Sequence, residues 1–371
     1  MIAVITCGHR PDDERIYERE IKTLLEAGYK ITYFTRWRGD NNLSDENLWH
    51  RNYSQKDIST RDYIQGILRD FQILKPSIVH IHEFELLPLA KKAKKLYNAK
   101  IIYDVHDTLR SMWETFSSKK GLAKTMINKS LSFFESFHLK YVDEIILANR
   151  IFNNNNYYSE KGLRTTVIEN FPRLDNLCEP KKSSTLPLIL YQGQISEDRG
   201  ITTLVDAFNI VQKEFPSARL RILGTIRSIA YKKTLHEKIN KSNSSGVIKL
   251  MSEVCHKKVW DYMQKAHIGA IPSLKTPRVM LDTPTKLFEY MSAGCVVVAT
   301  DVPPVHHFLE KAGELVKPGS AKSLADGMLN ILKNEKVFIQ YSTEGIKRIG
   351  EKYNWEKLKP ILLDVYSGVV N

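Results

Sequence analysis

The sequence predicts an α/β protein built as two doubly wound parallel-sheet domains that face each other across a cleft. Three observations carry this expectation. Short apolar runs alternate with stretches of helical period along almost the whole chain, the pattern of repeated βαβ units. The rhythm halts at Arg173–Pro187, which is rich in Pro, Lys and Ser and has no apolar period, and then starts again. The length of 371 residues is roughly two to three times that of an ordinary domain.

The first half opens with the strand Ile2–Thr6, a polar loop, and a helix over Glu14–Ala27 whose Ile16, Ile21, Leu24 and Leu25 fall at helical spacing. Lys30–Phe34 follows as a strand. Ile78–Ile81, Lys100–Tyr103, Glu144–Leu147 and Thr166–Ile168 are further short β-type runs between helical stretches. The second half begins again at Leu188–Tyr191 and continues through Arg219–Leu223, Val247–Lys249, Ile268–Ile271, Cys295–Ala299 and Glu314–Val316. Trp355–Val370 closes the chain with a helical pattern beyond the last strand. The expected organisation is a Rossmann-like domain over residues 1–175, a linker over 176–187 and a second Rossmann-like domain over 188–354. A C-terminal helix over 355–371 can cross back to the first domain. In doubly wound sheets ligands lie beyond the carboxyl ends of the strands, so functional residues belong in the loops that follow strands.

Composition narrows the class. With 42% hydrophobic and 26% charged residues the chain reads as soluble and globular, which excludes a disordered, collagen-like or disulfide-scaffold protein. The opening MIAVITCGHRPDD has no cationic stretch before its short apolar run, so no signal peptide is expected. No segment is apolar for long enough to span a membrane as a helix. Cys7, Cys178, Cys255 and Cys295 stand singly, which speaks against a zinc site or disulfides and for the cytoplasm. The net charge of +13, from 55 Lys+Arg against 42 Asp+Glu, admits nucleic acid, a membrane surface or a phosphorylated substrate without choosing among them.

The strongest local signal is Pro284-Thr-Lys-Leu-Phe-Glu-Tyr-Met-Ser-Ala-Gly-Cys-Val-Val-Val-Ala-Thr300. It reads as a helix that begins at a proline, with Thr283 as N-cap, stops at Gly294 and leads into a buried strand. First-turn N–H groups make such a helix start an anion site, and Lys286 adds a cation suited to a diphosphate. Glu289 lies three residues further on the same face, where a carboxylate can hold a ribose diol. An ordinary amphipathic helix explains Leu287, Phe288 and Met291 as core residues, but it does not explain Lys286 and Glu289 together.

This segment, P-x-K-L-F-E-Y-M-x-A-G before a V-V-A strand, resembles the donor-site signature of glycosyltransferase family 4, a retaining family with the GT-B fold. The resemblance extends to Tyr191-Gln-Gly-Gln-Ile-Ser-Glu-Asp-Arg-Gly200, His80-Ile-His-Glu-Phe-Glu85, Tyr103-Asp-Val-His-Asp107 and Glu169-Asn-Phe-Pro172. It implies a glycosyltransferase that moves a sugar from a nucleotide-diphosphate donor, with UDP favoured over GDP, to a glycan or lipid-linked acceptor. By this resemblance Arg199 neutralises the donor diphosphate, together with Lys286 and the amides around Thr285–Leu287. Glu289 binds the ribose, main-chain groups around Ser252–Val254 meet the base, and Gly8 lets backbone approach the phosphate. No metal or other cofactor is implied; the nucleotide-sugar is a co-substrate. Two departures stand out. Family members often carry an acid eight positions before Glu289, where this chain has Leu281, with Asp282 one residue out of register. They often carry an Arg where this chain has Gln194.

His106 follows the strand Lys100–Tyr103 and is the leading catalytic candidate, a hydrogen-bonding partner for the reacting sugar; a purely structural histidine fixed by Asp104 or Asp107 is the plainer reading. His80, His82 and Glu83 invite a metal site, but a hydrogen-bonded structural role is expected of them. His9, Asp13 and Arg15 crowd the loop after the first strand together with Arg10, either as acceptor-side contacts or as the solvated start of a helix.

Other classes fare less well. A nicotinamide dehydrogenase needs G-x-G-x-x-G after a strand, and neither Cys7-Gly-His nor Gln192-Gly-Gln supplies it. A Walker P-loop is absent, and nucleic acid rests on net charge alone. A nucleotide-sugar 2-epimerase of the same fold and a catalytically silent nucleotide-sugar-binding protein remain as alternatives. The charge is unevenly spread: residues 1–180 hold 27 Lys+Arg and 24 acids, against 28 and 18 in the remainder, so the expected donor domain is the basic one. Residues 91–140 hold 11 Lys+Arg and four acids beside large apolar residues, a pattern suited to the surface of an anionic inner membrane.

Overall fold

The computed structural model describes residues 1–39, 43–53, 58–106, 121–149, 156–182, 186–280 and 283–370. They form two compact units, Met1–Asn170 with Leu358–Asn371, and Phe171–Lys357.

The sheet of the first unit has seven parallel strands: β1 (Ile2–Ile5), β2 (Ile31–Arg36), β3 (Leu48–Tyr53), β4 (Ile78–Ile81), β5 (Lys100–Val105), β6 (Glu144–Leu147) and β7 (Arg164–Val167), in the order β3-β2-β1-β4-β5-β6-β7. Central strands covered on both faces read as unbroken apolar runs, and β1 and β4 are buried at every position. β3 was not expected from the sequence, because Leu-Trp-His-Arg-Asn-Tyr on an edge is only half buried and carries no clear period. The expected helix over Glu14–Ala27 is instead a π-helical stretch, Ile16–Ile21, that passes into the short helix α1 (Lys22–Glu26). The helices that follow are α2 (Thr60–Leu74), α3 (Pro88–Tyr97), α4 (Gly121–Leu139) and α5 (Asn156–Ser159).

The second unit has six parallel strands: β8 (Leu188–Gln192), β9 (Arg219–Leu223), β10 (Ile248–Met251), β11 (Ile268–Ile271), β12 (Val296–Thr300) and β13 (Gly313–Val316), in the order β10-β9-β8-β11-β12-β13. Its helices are α6 (Ile201–Glu214), α7 (Ile229–Asn240), α8 (His256–Lys265), α9 (Thr285–Ser292), α10 (Pro303–Leu309), α11 (Ala321–Lys333) and α12 (Glu335–Glu351). Its core joins Ile189, Tyr191, Leu220, Ile222, Val296 and Val298 of the sheet to Leu204, Phe208 and Met328 of the covering helices.

The chain leaves the first unit at Phe171, ahead of the proline-rich stretch, because that stretch is packed into the second unit. The Phe171 ring lies 4.9 Å from Phe288. Cys178 N–H donates to Ser292 O at 2.9 Å. The Lys181 ammonium donates to the carbonyls of Met263 (2.8 Å) and Ala266 (2.5 Å), the last carbonyls of α8. The final helix, α13 (Lys359–Val370), belongs to the first unit, where Tyr366 is buried with its hydroxyl 2.6 Å from His80 Nδ1. In each sheet the strand order reverses beside its first strand, between β1 and β4 and between β8 and β11, so the loops after these strands are where a doubly wound fold places ligands.

Candidate active site

In the second unit, three post-strand loops are laced together by backbone. Gly193 N–H donates to Leu223 O (3.0 Å), Gly224 N–H to Met251 O (3.1 Å) and Ile195 N–H to Thr225 O (2.9 Å). A Cβ on Gly224 would fall 1.8 Å from Gly193 O, so the two backbones approach as closely as they do only because residue 224 has no side chain.

Helix α9 docks against this loop cluster. Tyr290, fully buried, accepts from Gln192 N–H (2.9 Å) and donates to Leu190 O (3.1 Å), which fixes the helix to β8. Leu287, Phe288 and Met291 fill the core beneath. The helix closes in a Schellman motif, with Gly294 N–H on Met291 O (3.0 Å) and Cys295 N–H on Tyr290 O (2.9 Å). Its start departs from expectation. Pro284 occupies the N-cap and no side chain caps the first turn, while Thr283 is buried with its hydroxyl unpartnered. Leu287 N–H already donates to Pro284 O (2.9 Å), so this amide, expected in the phosphate cradle, is spent within the helix.

Lys286 is 9% exposed, and its ammonium donates to Tyr191 Oη at 3.3 Å from a position 4.4 Å off the ring centroid. Gly193 permits this: a Cβ there would sit 2.8 Å from Lys286 Nζ. Arg199 ends the 3-10 turn Glu197–Arg199 that leads into α6. Burial pushes the Tyr191 phenol up, and the positive charge of Arg199 pulls it down in part, so both cations act on this one ring. Glu289 accepts from Gln192 Nε2 at 2.7 Å. The structure thus brings Lys286 and Glu289 to Tyr191–Gly193, and Arg199 ends the turn that follows this loop. Thr285 opens α9 one residue before Lys286.

Beyond β9 and β10 lies a cavity of about 500 Å³ lined by Gly224, Thr225, Lys232, His236, Ser252 and Glu253 among others. Glu253 accepts from the Thr225 hydroxyl there. Val254, expected beside a base, does not line it. Leu281 and Asp282 lie outside the described residues.

In the first unit, Glu83 fills the loop after β1. Its carboxylate accepts from Thr6 Oγ1 (2.5 Å), Cys7 N–H (3.0 Å) and Gly8 N–H (2.9 Å). Gly8 was expected to admit a phosphate, but its amide is satisfied by this carboxylate, which would also lie 3.3 Å from any Cβ at residue 8. His106 follows β5, with Nε2 3.1 Å from His82 Nδ1 and its ring 4.7 Å from the ring of His9. Burial, reinforced by the neighbouring His9 and Arg15 cations and only partly offset by Asp104, pushes His106 down to about 3 and keeps it neutral. His9 behaves oppositely: burial would lower it, but the hydrogen bond it donates to Asp13 (3.1 Å) and that residue's charge raise it to about 9. His9 and Asp13 therefore form an imidazolium–carboxylate pair beside a neutral His106.

Arg15 is not an acceptor-side residue in this arrangement. It is 4% exposed, its Nε and Nη2 meet Asp104 Oδ2 at 2.9 and 2.8 Å, and its Nη1 donates to Ile168 O (2.7 Å) and Asn170 Oδ1 (3.0 Å). It ties the first loop to β5 and to the segment after β7.

Comparison with known proteins decides the class. Residues 175–348 match the family of glycosyl transferases group 1. This chain carries a glycosyl transferases group 1 domain in its second unit. It is 22% identical over 304 residues to a phosphatidyl-myo-inositol mannosyltransferase of Mycobacterium leprae, covering 79% of this chain and 73% of that protein. Among solved structures, it superposes on a sucrose-phosphate synthase from Thermosynechococcus elongatus with a TM-score of 0.77 at 18% identity, covering 100% of this chain and 98% of the other. It superposes on Anabaena HepE in complex with UDP and glucose with a TM-score of 0.75 at 13% identity, covering 99% of both. These structural likenesses establish the GT-B fold.

Among the described residues, one cluster in the first unit has the composition of a metal site: Glu20, His80, His82 and Asp104 each offer a ligand atom, all within 4.8 Å of one another and all buried. The guanidinium of Arg15 already supplies a cation there, 3.1 Å from Glu20 Oε1 and 2.8 Å from Asp104 Oδ2. Burial pushes both carboxyls up. The Asp104 charge adds to this on Glu20, which rises well above its ordinary value, whereas on Asp104 Arg15 prevails and holds it low. A divalent ion would add positive charge beside a guanidinium that neutralises the ionised carboxylate, while Glu20 Oε1 and Oε2, His80 Nε2, His82 Nε2 and Asp104 Oδ1 are buried without a hydrogen-bond partner.

Sequence reasoning quoted Tyr191 and Gln192 in a motif without giving them a role and passed over Glu20; of Glu83 it expected a hydrogen-bonded structural role, and the carboxylate accepts from Thr6, Cys7 and Gly8. Gln192 and Tyr191 stand at the end of a predicted strand, the position where the fold places ligands, and that signal alone singles them out.

Proposed function

We propose that the enzyme transfers a sugar, with retention of configuration, from a nucleotide-diphosphate donor held by the second unit to an acceptor hydroxyl of a surface glycan or its lipid carrier. The observation that carries this reading is the convergence of Lys286 and Glu289 on the Tyr191–Gly193 loop, with Arg199 on the turn that follows. Two cations at a helix start suit a diphosphate, and a carboxylate preset by Gln192 suits a ribose diol. The cavity at Ser252 and Glu253 has room for a base. UDP is the preferred nucleotide, in keeping with the UDP in the HepE complex.

Catalysis is then largely electrostatic. Lys286 and Arg199 stabilise the charge that develops on the departing diphosphate, whose oxygen takes the proton of the acceptor hydroxyl. His106, held neutral, serves as a hydrogen-bonding group toward the reacting sugar rather than as an acid. No protein nucleophile and no metal enters this scheme.

Calorimetric titration with UDP and GDP, alongside a transfer assay, tests it. Lys286→Ala is expected to weaken binding of the preferred nucleotide at least tenfold and to abolish most transfer. Binding equal to that of the wild type would sink the site.

We also assign a membrane contact to the 91–140 region. The span 107–120 lies outside the described residues. Among the described residues no helix is long and apolar enough to cross a membrane. On α4, Met126 (68% exposed), Phe133 (74%) and Phe137 face solvent, and Lys91 and Lys140 lie over the Phe137 ring at 5.4 and 4.1 Å. Apolar side chains framed by ammonium groups suit an anionic interface. The enzyme is expected to sediment with phosphatidylglycerol vesicles at low salt and to stay in solution with phosphatidylcholine; no sedimentation with either removes the contact.

A further inference from the structure

On its inner side, α4 closes a second cavity, of about 530 Å³, against α2, α3 and the short turn Phe84–Leu86. Ile64, Phe84, Pro88, Leu131 and Phe134 give it predominantly apolar walls, while Arg61 and Lys92 also line it. Its volume is that of a small-molecule site (about 300–1,000 Å³) rather than of a packing defect. Among its lining residues are two cations and a single acid, Glu85; burial raises the carboxyl of Glu85, and the nearby Arg36 lowers it in part.

The place of the cavity in the fold gives it meaning. α2 begins after the carboxyl end of β3, and the Phe84 turn follows that of β4, so the cavity opens at the same edge of the sheet as the catalytic histidine. Glu83, which holds the amides of Cys7 and Gly8, immediately precedes Phe84. Thr60, also in the lining, accepts from Arg36 Nη1 at 2.9 Å. A hydrocarbon chain in this cavity would leave an attached head group beside Arg61 and Lys92.

Resting on the acceptor reading above, we propose that this cavity receives the hydrocarbon chain of a membrane-derived acceptor whose anionic phosphate is met by Arg61 and Lys92. An apolar wall explains a chain, and a pair of cations against one partly buried acid explains a phosphate. The acceptor is thereby narrowed from any glycan hydroxyl to one carried on a lipid phosphate.

Calorimetry with three probes tests this on the full-length protein: dodecyl phosphate, dodecyl maltoside and inorganic phosphate, all below their aggregation limits. Dodecyl phosphate is expected to bind one to one, at least tenfold more tightly than dodecyl maltoside, and inorganic phosphate not to register. Leu131→Trp, at a partly exposed position that leaves the fold intact, fills the cavity and should weaken dodecyl phosphate at least tenfold. Arg61→Glu combined with Lys92→Glu, both on the surface, should abolish the preference for phosphate over maltoside. UDP titrated into the same variants should bind as in the wild type, since it reads the other unit. Dodecyl phosphate binding that Leu131→Trp leaves unchanged, or equal binding of the two amphiphiles, overturns the proposal. Loss of nucleotide binding in the wild-type protein would instead overturn the donor reading and leave the cavity result standing.

Discussion

Gly193→Ala separates the role of a backbone position from that of the cation it accommodates. Gly193 has φ +115°, a region closed to most residues with a Cβ, and such placements cost about 1–3 kcal/mol. In a unit of this size about 1 kcal/mol corresponds to roughly 2–4 °C in Tm, so a fall of about 2–12 °C is expected from the backbone alone. The new methyl would stand 2.8 Å from Lys286 Nζ, which must withdraw by about 0.6 Å to reach ordinary contact at 3.4 Å. Because that atom ends a flexible side chain, the clash adds little to the stability loss. It does take Nζ off its 3.3 Å hydrogen bond to Tyr191 and away from the diphosphate position. A hydrogen bond to a charged group contributes about 1.5–3 kcal/mol, hence a loss of about 10- to 150-fold in nucleotide affinity. Gly319→Ala is the control: φ is +74°, and only Leu274 Cδ2, at 3.8 Å, is near the built Cβ. It should lower Tm comparably and leave nucleotide affinity unchanged. If calorimetry shows wild-type affinity in Gly193→Ala, or an equal loss in Gly319→Ala, the coupling between this glycine and Lys286 is wrong.

Two further expectations follow from the same geometry. Glu289→Ala should raise the KM for donor at least tenfold with kcat nearly preserved. Gln192→Ala should give a smaller rise, because it removes only the hydrogen bond that presets the carboxylate; equal KM values in all three proteins would refute the ribose assignment. Stability should also be bell-shaped in pH. His80 and His106 are pushed down to about 4 and 3 when folded, so the unfolded chain binds more protons in acid and stability is lost as pH falls below about 6.5. His9, raised to about 9 beside Asp13, contributes stability that is complete below about 6.5 and lost as pH rises to 9. Thermal unfolding across pH 4–10 should show both limbs, and His9→Gln should remove the alkaline one and soften the acid one, because the His9 cation helps hold His106 down.

Much of the fold was legible because buried parallel strands are continuous apolar runs. Ile78–Ile81 and Ile268–Ile271 coincide with β4 and β11. What escaped was decided by tertiary context. β3 is an edge strand whose alternation is broken by polar residues that partner elsewhere, such as Arg51 with Asp70 and Asn52 with Thr35. The start of α9 was misread because Thr283 has the chemistry of a cap but is buried outside the helix. At the site, Lys286 and Glu289 could be selected by helical spacing, since three residues make one face. Gln192 could not, because its contact with Glu289 spans 97 positions. Arg15 read equally as an acceptor-side contact or as part of a solvated helix start; Asp104 and Ile168, which hold it, come from 89 and 153 positions away.

The return of α13 to the first unit has a consequence for biosynthesis. Tyr366, which meets His80, is separated from it by 286 positions, and the entire second unit is strung between them. On a ribosome the first unit can collapse early, but its last wall emerges only after every strand of its partner has been made. A nascent chain stalled anywhere in the second unit therefore carries a finished-looking sheet with one open side and the His80–His82 ladder uncovered. Completion of the first unit therefore waits on synthesis of the whole of the second.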